Sequence, residues 1–177
     1  MAQLNMVSTH QTHIASPPAT ASQGKHMNVI HVPRRFTQDE WGGTETTILE
    51  TSKALIARGH SSSIVTTTAL SDCKKEKIQG VNVHRHKYVY PFVGLSSQDK
   101  RDMDKKGGNL LSLSMLRTLL TADNLDILHA HSGKRLGGIV RTAARIRKLP
   151  YVISLHGGVI DVPAIETQQM LAPIKGS

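Results

Sequence analysis

Residues 27–68 read MNVIHVPRRFTQDEWGGTETTILETSKALIARGHSSSIVTTT, and the order of patterns within them decides the fold. Asn28-Val-Ile-His-Val-Pro33 is a short run rich in β-branched residues that stops at a proline, which predicts a strand. A polar loop from Arg34 to Gly43 follows. Thr44 is a good N-cap, Glu45 places a carboxylate near the positive pole of the first turn, and Gly59 after Arg58 is a stop signal. The spacing predicts a helix that opens at Thr44 and turns Ile48, Leu55 and Ile56 to one face. Ser63-Ile-Val-Thr-Thr-Thr68 predicts the next strand. Strand, helix and strand within about forty residues make one βαβ unit.

The alternation continues downstream. Val81 to His86 alternates as a strand, and Lys87 to Gly108 is polar and irregular apart from Tyr88, Tyr90 and Phe92. A structureless stretch of about twenty residues is uncommon in compact domains and is often functional. Leu110, Leu113, Leu116, Leu119 and Leu120 make a helical stripe, and Asp126-Ile-Leu-His129 a short strand. Leu136, Ile139, Val140, Ala143 and Ala144 make another stripe. Pro150 to Leu155 reads as a buried strand broken by His156-Gly157-Gly158. Strands alternating with helices predict the α/β class, a doubly wound parallel sheet covered on both faces. Residues 1–26 lack either periodicity and are rich in Ser, Thr, Gln, Ala and Pro. They read as a disordered leader ahead of a domain at 27–177, with Met27 a candidate initiator.

Composition narrows the class. Lys plus Arg is 22 against 13 for Asp plus Glu in 177 residues, a formal net charge of +9. Such a balance fits phosphate esters, nucleic acid or an acidic membrane surface without choosing among them. Aromatics are only 3%, too few for a platform that stacks single-stranded bases. Cys73 is the single cysteine, so no disulfide framework exists and a reducing, cytoplasmic setting is expected. No apolar run is long enough to span a bilayer, and residues 1–26 lack the apolar core of a secretory signal. Lys134, Arg141, Arg145 and Lys148 share one side of a predicted helix. They are either a solvated face or a peripheral contact with anionic headgroups.

In a doubly wound sheet the ligand sits beyond the carboxyl ends of the strands. Gly42-Gly43 follows the first strand, His129-Ala-His131-Ser-Gly133 the Asp126 strand, and His156-Gly157 the Pro150 strand. Glycines there admit a ligand to backbone N–H groups, and the helix N-terminus at Thr44 and Glu45 favours a phosphate. Plainer readings stand beside these. Gly42-Gly43 is short of the G-x-G-x-x-G fingerprint, which counts against a nicotinamide or flavin dehydrogenase and leaves a tight turn as the alternative. His129 and His131 share a strand face, but a zinc site needs more ligands than two, and His84 and His86 repeat the spacing. No metal is therefore expected. His156 is either a hydrogen-bonded structural residue or a neutral imidazole that faces ligand.

Taken in order, Met27 to Phe36, Gly42-Gly-Thr-Glu45, Ala54 to His60, Asp126-Ile-Leu-His-Ala-His131 and Val152-Ile-Ser-Leu-His-Gly157 resemble the N-terminal domain of family 4 GT-B glycosyltransferases. The resemblance covers 27–177 and implies a Rossmann-like doubly wound sheet forming one half of a GT-B fold. It implies a retaining transferase that moves a sugar from a nucleotide-sugar donor to a sugar, lipid or other small acceptor. It assigns His156 to the transferred sugar, Gly42 and Gly43 to the donor diphosphate, and Thr44, Glu45, His129, His131 and Gly157 to the cleft. It implies no metal, no cofactor beyond the nucleotide-sugar co-substrate and no nucleic acid as partner. A cytoplasmic protein, with or without peripheral contact at the inner membrane face, is expected. The second domain of the family has no counterpart in these residues, so the chain alone is expected to show no turnover. Two other readings remain: a stand-alone flavodoxin-like nucleotide- or anion-binding module, and a basic nucleic-acid-binding domain.

Overall fold

The structure, a computed structural model, describes residues 25–156. Nearly all of the expected leader, and Gly157 with the residues after it, lie outside the described residues. Six strands, β1 (Asn28–Val32), β2 (Ser61–Thr67), β3 (Lys75–Ile78), β4 (Val81–His86), β5 (Ile127–Ala130) and β6 (Tyr151–Ile153), form one sheet in the order β3-β4-β2-β1-β5-β6. All neighbours are parallel except β3 and β4. Four helices connect them: α1 (Gly43–Ala57), α2 (Ser97–Lys106), α3 (Leu113–Thr121) and α4 (Lys134–Arg147). The fold is the Rossmann-like α/β architecture that the alternation of patterns predicts.

The sheet is covered on both faces, which is why β1 buries four of its five residues. Ile30, Val32, Val65, Leu128 and Ala130 pack with the apolar stripes of α3 and α4 and with Met103 of α2. Ile64, Val81 and Val83 pack with Ile48 and Leu49 of α1 and with Phe36. Because successive strand side chains alternate faces, His31 and His129 lie on the side opposite Ile30, Val32, Leu128 and Ala130. Among the described residues no helix is long and apolar enough to cross a membrane.

Several local expectations are corrected. Gly42, not Thr44, is the N-cap of α1. Glu45, at the third helical position, completes the end by accepting from the Gly42 N–H at 3.1 Å. The buried face of α1 is Glu45, Ile48, Leu49 and Ser52, while Ile56 is exposed. The stretch 87–108 is not structureless, because Ser96 caps α2 and Asp99 returns the bond. Ser112 caps α3, so the helix starts beyond Leu110, Leu113 is exposed and Met115 fills the core. The strand β6 is exposed rather than buried along its length. A further strand, β3, arises from a two-residue turn at Gln79 and Gly80, both with positive φ. A pair of left-handed residues matches the twist of a hairpin.

Two polar anchors hold the loops over the sheet. Arg85, buried, donates from Nε to the carbonyl of Phe36 at 3.2 Å and pairs with Glu76. Tyr88 and Tyr90 both donate to Asp104, at 2.6 and 2.9 Å, and fasten α2 to the segment after β4. Burial and the Asp104 carboxylate push both phenols well above their ordinary range. At the base of this anchor a Cβ on Gly108 would stand 2.7 Å from Met103 Cβ and 2.7 Å from the Tyr90 ring. Gly108→Ala is expected to cost about 1–3 kcal/mol by overpacking. A lower urea midpoint at an unchanged slope is the readout.

Candidate functional site

The strand order reverses beside β1: the chain runs outward through β2 and β4, then returns to lay β5 on the other side. At such a switch point the loops leaving neighbouring strands part and open a crevice. A cavity of about 480 Å³ lies there. Its lining comes from Pro33, Arg34 and Arg35 after β1, His131 to Lys134 after β5, and Leu155 and His156 after β6. Thr44 and Glu45 of α1, Leu136 of α4 and residues 105–110 complete it.

The charge of the lining is one-sided. Arg34, Arg35, Lys105, Lys106 and Lys134 face a single carboxylate, Glu45. That carboxylate is buried and engaged: one oxygen accepts from Gly42 N–H, the other lies 3.7 Å from Arg35 Nε. Glu40, beyond the lining, pairs with Lys105 at 3.2 Å. The N-terminal turns of α1 and α4 both reach the cavity. Each carries partial positive charge from unpaired N–H groups, which suits a phosphate-bearing ligand. Lys134, the first residue of α4, holds φ at 53°, a left-handed conformation that is uncommon outside glycine and recurs at ligand sites.

The loop after β1 is held open by its anchors. Phe36 is fully buried and meets Trp41 edge-on, and Trp41 Nε1 donates to Thr46 Oγ1 at 2.9 Å. Thr66 and Thr67 of β2 donate to the carbonyls of Pro33 and Arg34. Arg34 in turn reaches the Met103 carbonyl at 3.3 Å, so both walls of the cavity are joined.

Four histidines stand at the switch point. The pairing of β1 with β5 sets His31 directly beside His129. His131 lies two residues on, on the same face. His31 Nδ1 lies 2.9 Å from His131 Nε2, and His131 Nδ1 lies 2.9 Å from His156 Nε2. His129 Nε2 is 2.8 Å from Ser154 Oγ. Burial, aided by the neighbouring His129, lowers His31 to about 4. Burial and the surrounding imidazoles lower His131 to about 2. His129 is lowered as well, by burial first and His156 second. One ring nitrogen each from His31, His129 and His131 falls within 4.8 Å of the others, close enough to share a cation. That third ligand position is not visible in the His129–His131 spacing.

The structure brings Thr44, Glu45, His131 and His156 to one cavity. Gly42 and Gly43 sit exposed at the head of α1, next to the lining rather than in it. A Cβ on Gly43 would meet nothing within 4 Å. His129 lies beneath the lining, with its ring against His131 at 4.0 Å between centroids. Gly157 lies outside the described residues. Sequence reasoning did not single out His31, because only the strand order makes it a neighbour of His129. It also missed the cations of Lys105 and Lys106, hidden in a stretch read as irregular.

Residues 42–173, roughly three quarters of the chain, match the family model described as a glycosyl transferase 4-like domain. No curated protein matches the chain.

The two enclosed imidazoles set an acid sensitivity. In the unfolded chain each takes a proton near its ordinary value of 6.5, whereas the folded rings refuse it until about 4 and about 2. The unfolded state therefore binds more protons as pH falls below that value, and stability drops with it. The loss is roughly 1 kcal/mol per pH unit for each ring, and is absent above about pH 7. Urea unfolding at about pH 7 and about pH 5 is expected to show the drop, and His31→Leu is expected to reduce it.

Proposed function

The chain belongs to the glycosyl transferase 4-like domain family, and from that premise we propose that its cavity is one wall of a sugar-transfer cleft. The protein is then the acceptor-side half of a GT-B enzyme that moves a sugar, with retention, from a nucleotide-sugar donor to a sugar, lipid or other small acceptor. The observation that carries this reading is the cavity at the switch point, with cations and two helix N-terminal turns around it and His156 on its rim. On this reading a second Rossmann-like domain holds most of the donor nucleotide, and turnover requires both domains. In the cytoplasm the exposed thiol of Cys73 stays reduced. Arg141, Arg145 and Lys148, all exposed, suit peripheral contact with an acidic membrane face.

The chemistry follows from where charge develops. Departure of the nucleoside diphosphate concentrates negative charge on the bridging phosphate, while the sugar becomes oxocarbenium-like. Fixed cations and N–H dipoles in a preorganised cleft stabilise the leaving group without metal. Arg34, Lys105, Lys106 and the α4 N-terminus supply that field, and exposed Gly42 and Gly43 admit the diphosphate to backbone N–H groups. His156 hydrogen-bonds the transferred sugar near the reacting carbon. His131 supports His156, and His129 supports His131 from beneath.

Two substitutions test the reading in the chain joined to its donor domain. His156→Ala is expected to lower kcat on the order of 10²-fold, the usual loss for one preorganised hydrogen-bond partner. An unchanged rate would remove His156 from the site. The Cβ added by Gly43→Val meets nothing within 4 Å, so the fold should persist, while KM for the donor should rise at least roughly tenfold. An unaltered KM would count against close approach of the diphosphate.

A further inference from the structure

His31, His131 and His156 form a single file from the interior to the cavity rim. Both links are N–H···N contacts of 2.9 Å. The inner ring, His31, is fully enclosed. Its second nitrogen, Nε2, has no hydrogen-bond partner among the described residues. The outer ring, His156, is exposed and lines the cavity. We infer that His31 and His131 are positioning residues that fix the tautomer of His156, so that it presents Nδ1–H as a donor to ligand. The inference rests on the proposed role of His156 and says which of its nitrogens does the work.

A count of protons fixes the direction of both bonds. A neutral imidazole carries one N–H, on one nitrogen or the other. Burial keeps His31 and His131 neutral near neutral pH. A neutral middle ring cannot donate from both nitrogens, so three linked rings allow only two arrangements. In the outward one, His31 Nδ1–H donates to His131 Nε2, and His131 Nδ1–H donates to His156 Nε2. His156 then carries its own proton on Nδ1, and the bare nitrogen of His31 is the one left without a partner. In the inward one every proton reverses, and His31 Nε2–H becomes a buried donor facing no acceptor. Orphaned buried donors are rarer in folded proteins than under-used acceptors, so the outward arrangement wins.

The consequence is a chemical preference. A ring locked as an Nδ1–H donor recognises lone pairs: a sugar hydroxyl oxygen or a phosphoryl oxygen. A ring free to choose either tautomer would serve as donor or acceptor indifferently. Locking removes that choice before ligand arrives, which is the preorganisation that strengthens a hydrogen bond in a cleft.

Nitrogen-15 NMR of the 177-residue chain, labelled at histidine and free of sugar nucleotide, reads the tautomers directly. His156 should show a protonated Nδ1 and a bare Nε2, their resonances widely separated. His31→Leu removes the inner donor and should bring the two resonances together as the tautomers average. His31→Asn offers an amide N–H near the lost Nδ1–H and should restore the separation. Thermal unfolding of each variant confirms that the fold persists, and His131→Leu serves as a second break in the file if His31→Leu does not fold. A protonated Nε2 on His156 in the unaltered chain would overturn the inference. So would a His156 pattern unmoved when the file is broken, or a purified protein carrying one equivalent of a divalent metal on His31 and His131. The readout needs no catalysis. A failed tautomer leaves the sugar-transfer reading standing, and an inert His156 in a transfer assay leaves the tautomer standing.

Discussion

The pairing of β1 with β5 is the contact on which the site depends. It joins segments about a hundred residues apart, and it places Val29 to Val32 opposite Ile127 to Ala130 in register. A slip of one residue would turn every side chain to the other face. Were β1 the strand that slipped, Ile30 and Val32 would leave the core shared with α3 and α4, and His31 would enter it. The hydrophobic pattern therefore holds the register, and the register delivers the imidazoles. The same pairing separates the loop after β1 from the loop after β5, which is how the crevice between them arises.

The polar groups around that crevice are ordered at its back and charged at its mouth. The buried imidazoles of His31 and His131 meet at 2.9 Å where water is excluded. Lys105, Lys106 and Lys134 occupy the exposed rim, where their solvation is cheaper to keep. Glu45 stands between the two regimes. Its burial is possible because both oxygens are engaged, one by a backbone N–H of the α1 entry and one by Arg35. Read from sequence it belonged to a cleft; in the fold it is first a fastener that shapes the cleft wall.

The α/β alternation was legible because its signals are local. Buried strand runs, a glycine stop behind Arg58 and the stripe of α4, whose five predicted apolar residues are all buried, each depend on neighbours a few positions away. The gathering of Thr44, His131 and His156 was legible through the rule that loops at strand ends converge. What escaped depends on distant partners. The role of His31 needs the strand order, α2 needs its cap at Ser96 weighed above its poor apolar content, and the exposure of β6 depends on what packs against it. Strand β3 escaped for another reason: its charged alternation, Lys-Glu-Lys-Ile, looks like a surface loop until the Gln79-Gly80 turn folds it back on β4. The family match agrees with the ordered set of short motifs, none of which is specific by itself.

The two margins of the sheet differ in a way that bears on association. At one margin β3 runs antiparallel to its neighbour and turns Lys75 and Lys77 outward, and strands that end in charge resist the approach of a like strand. At the other, β6 exposes Tyr151, Val152 and Ile153 in succession. Among the described residues, then, one margin is blunted by charge and the other is apolar. The apolar margin thus adjoins the rim that carries His156, and the charged margin lies at the far end of the sheet.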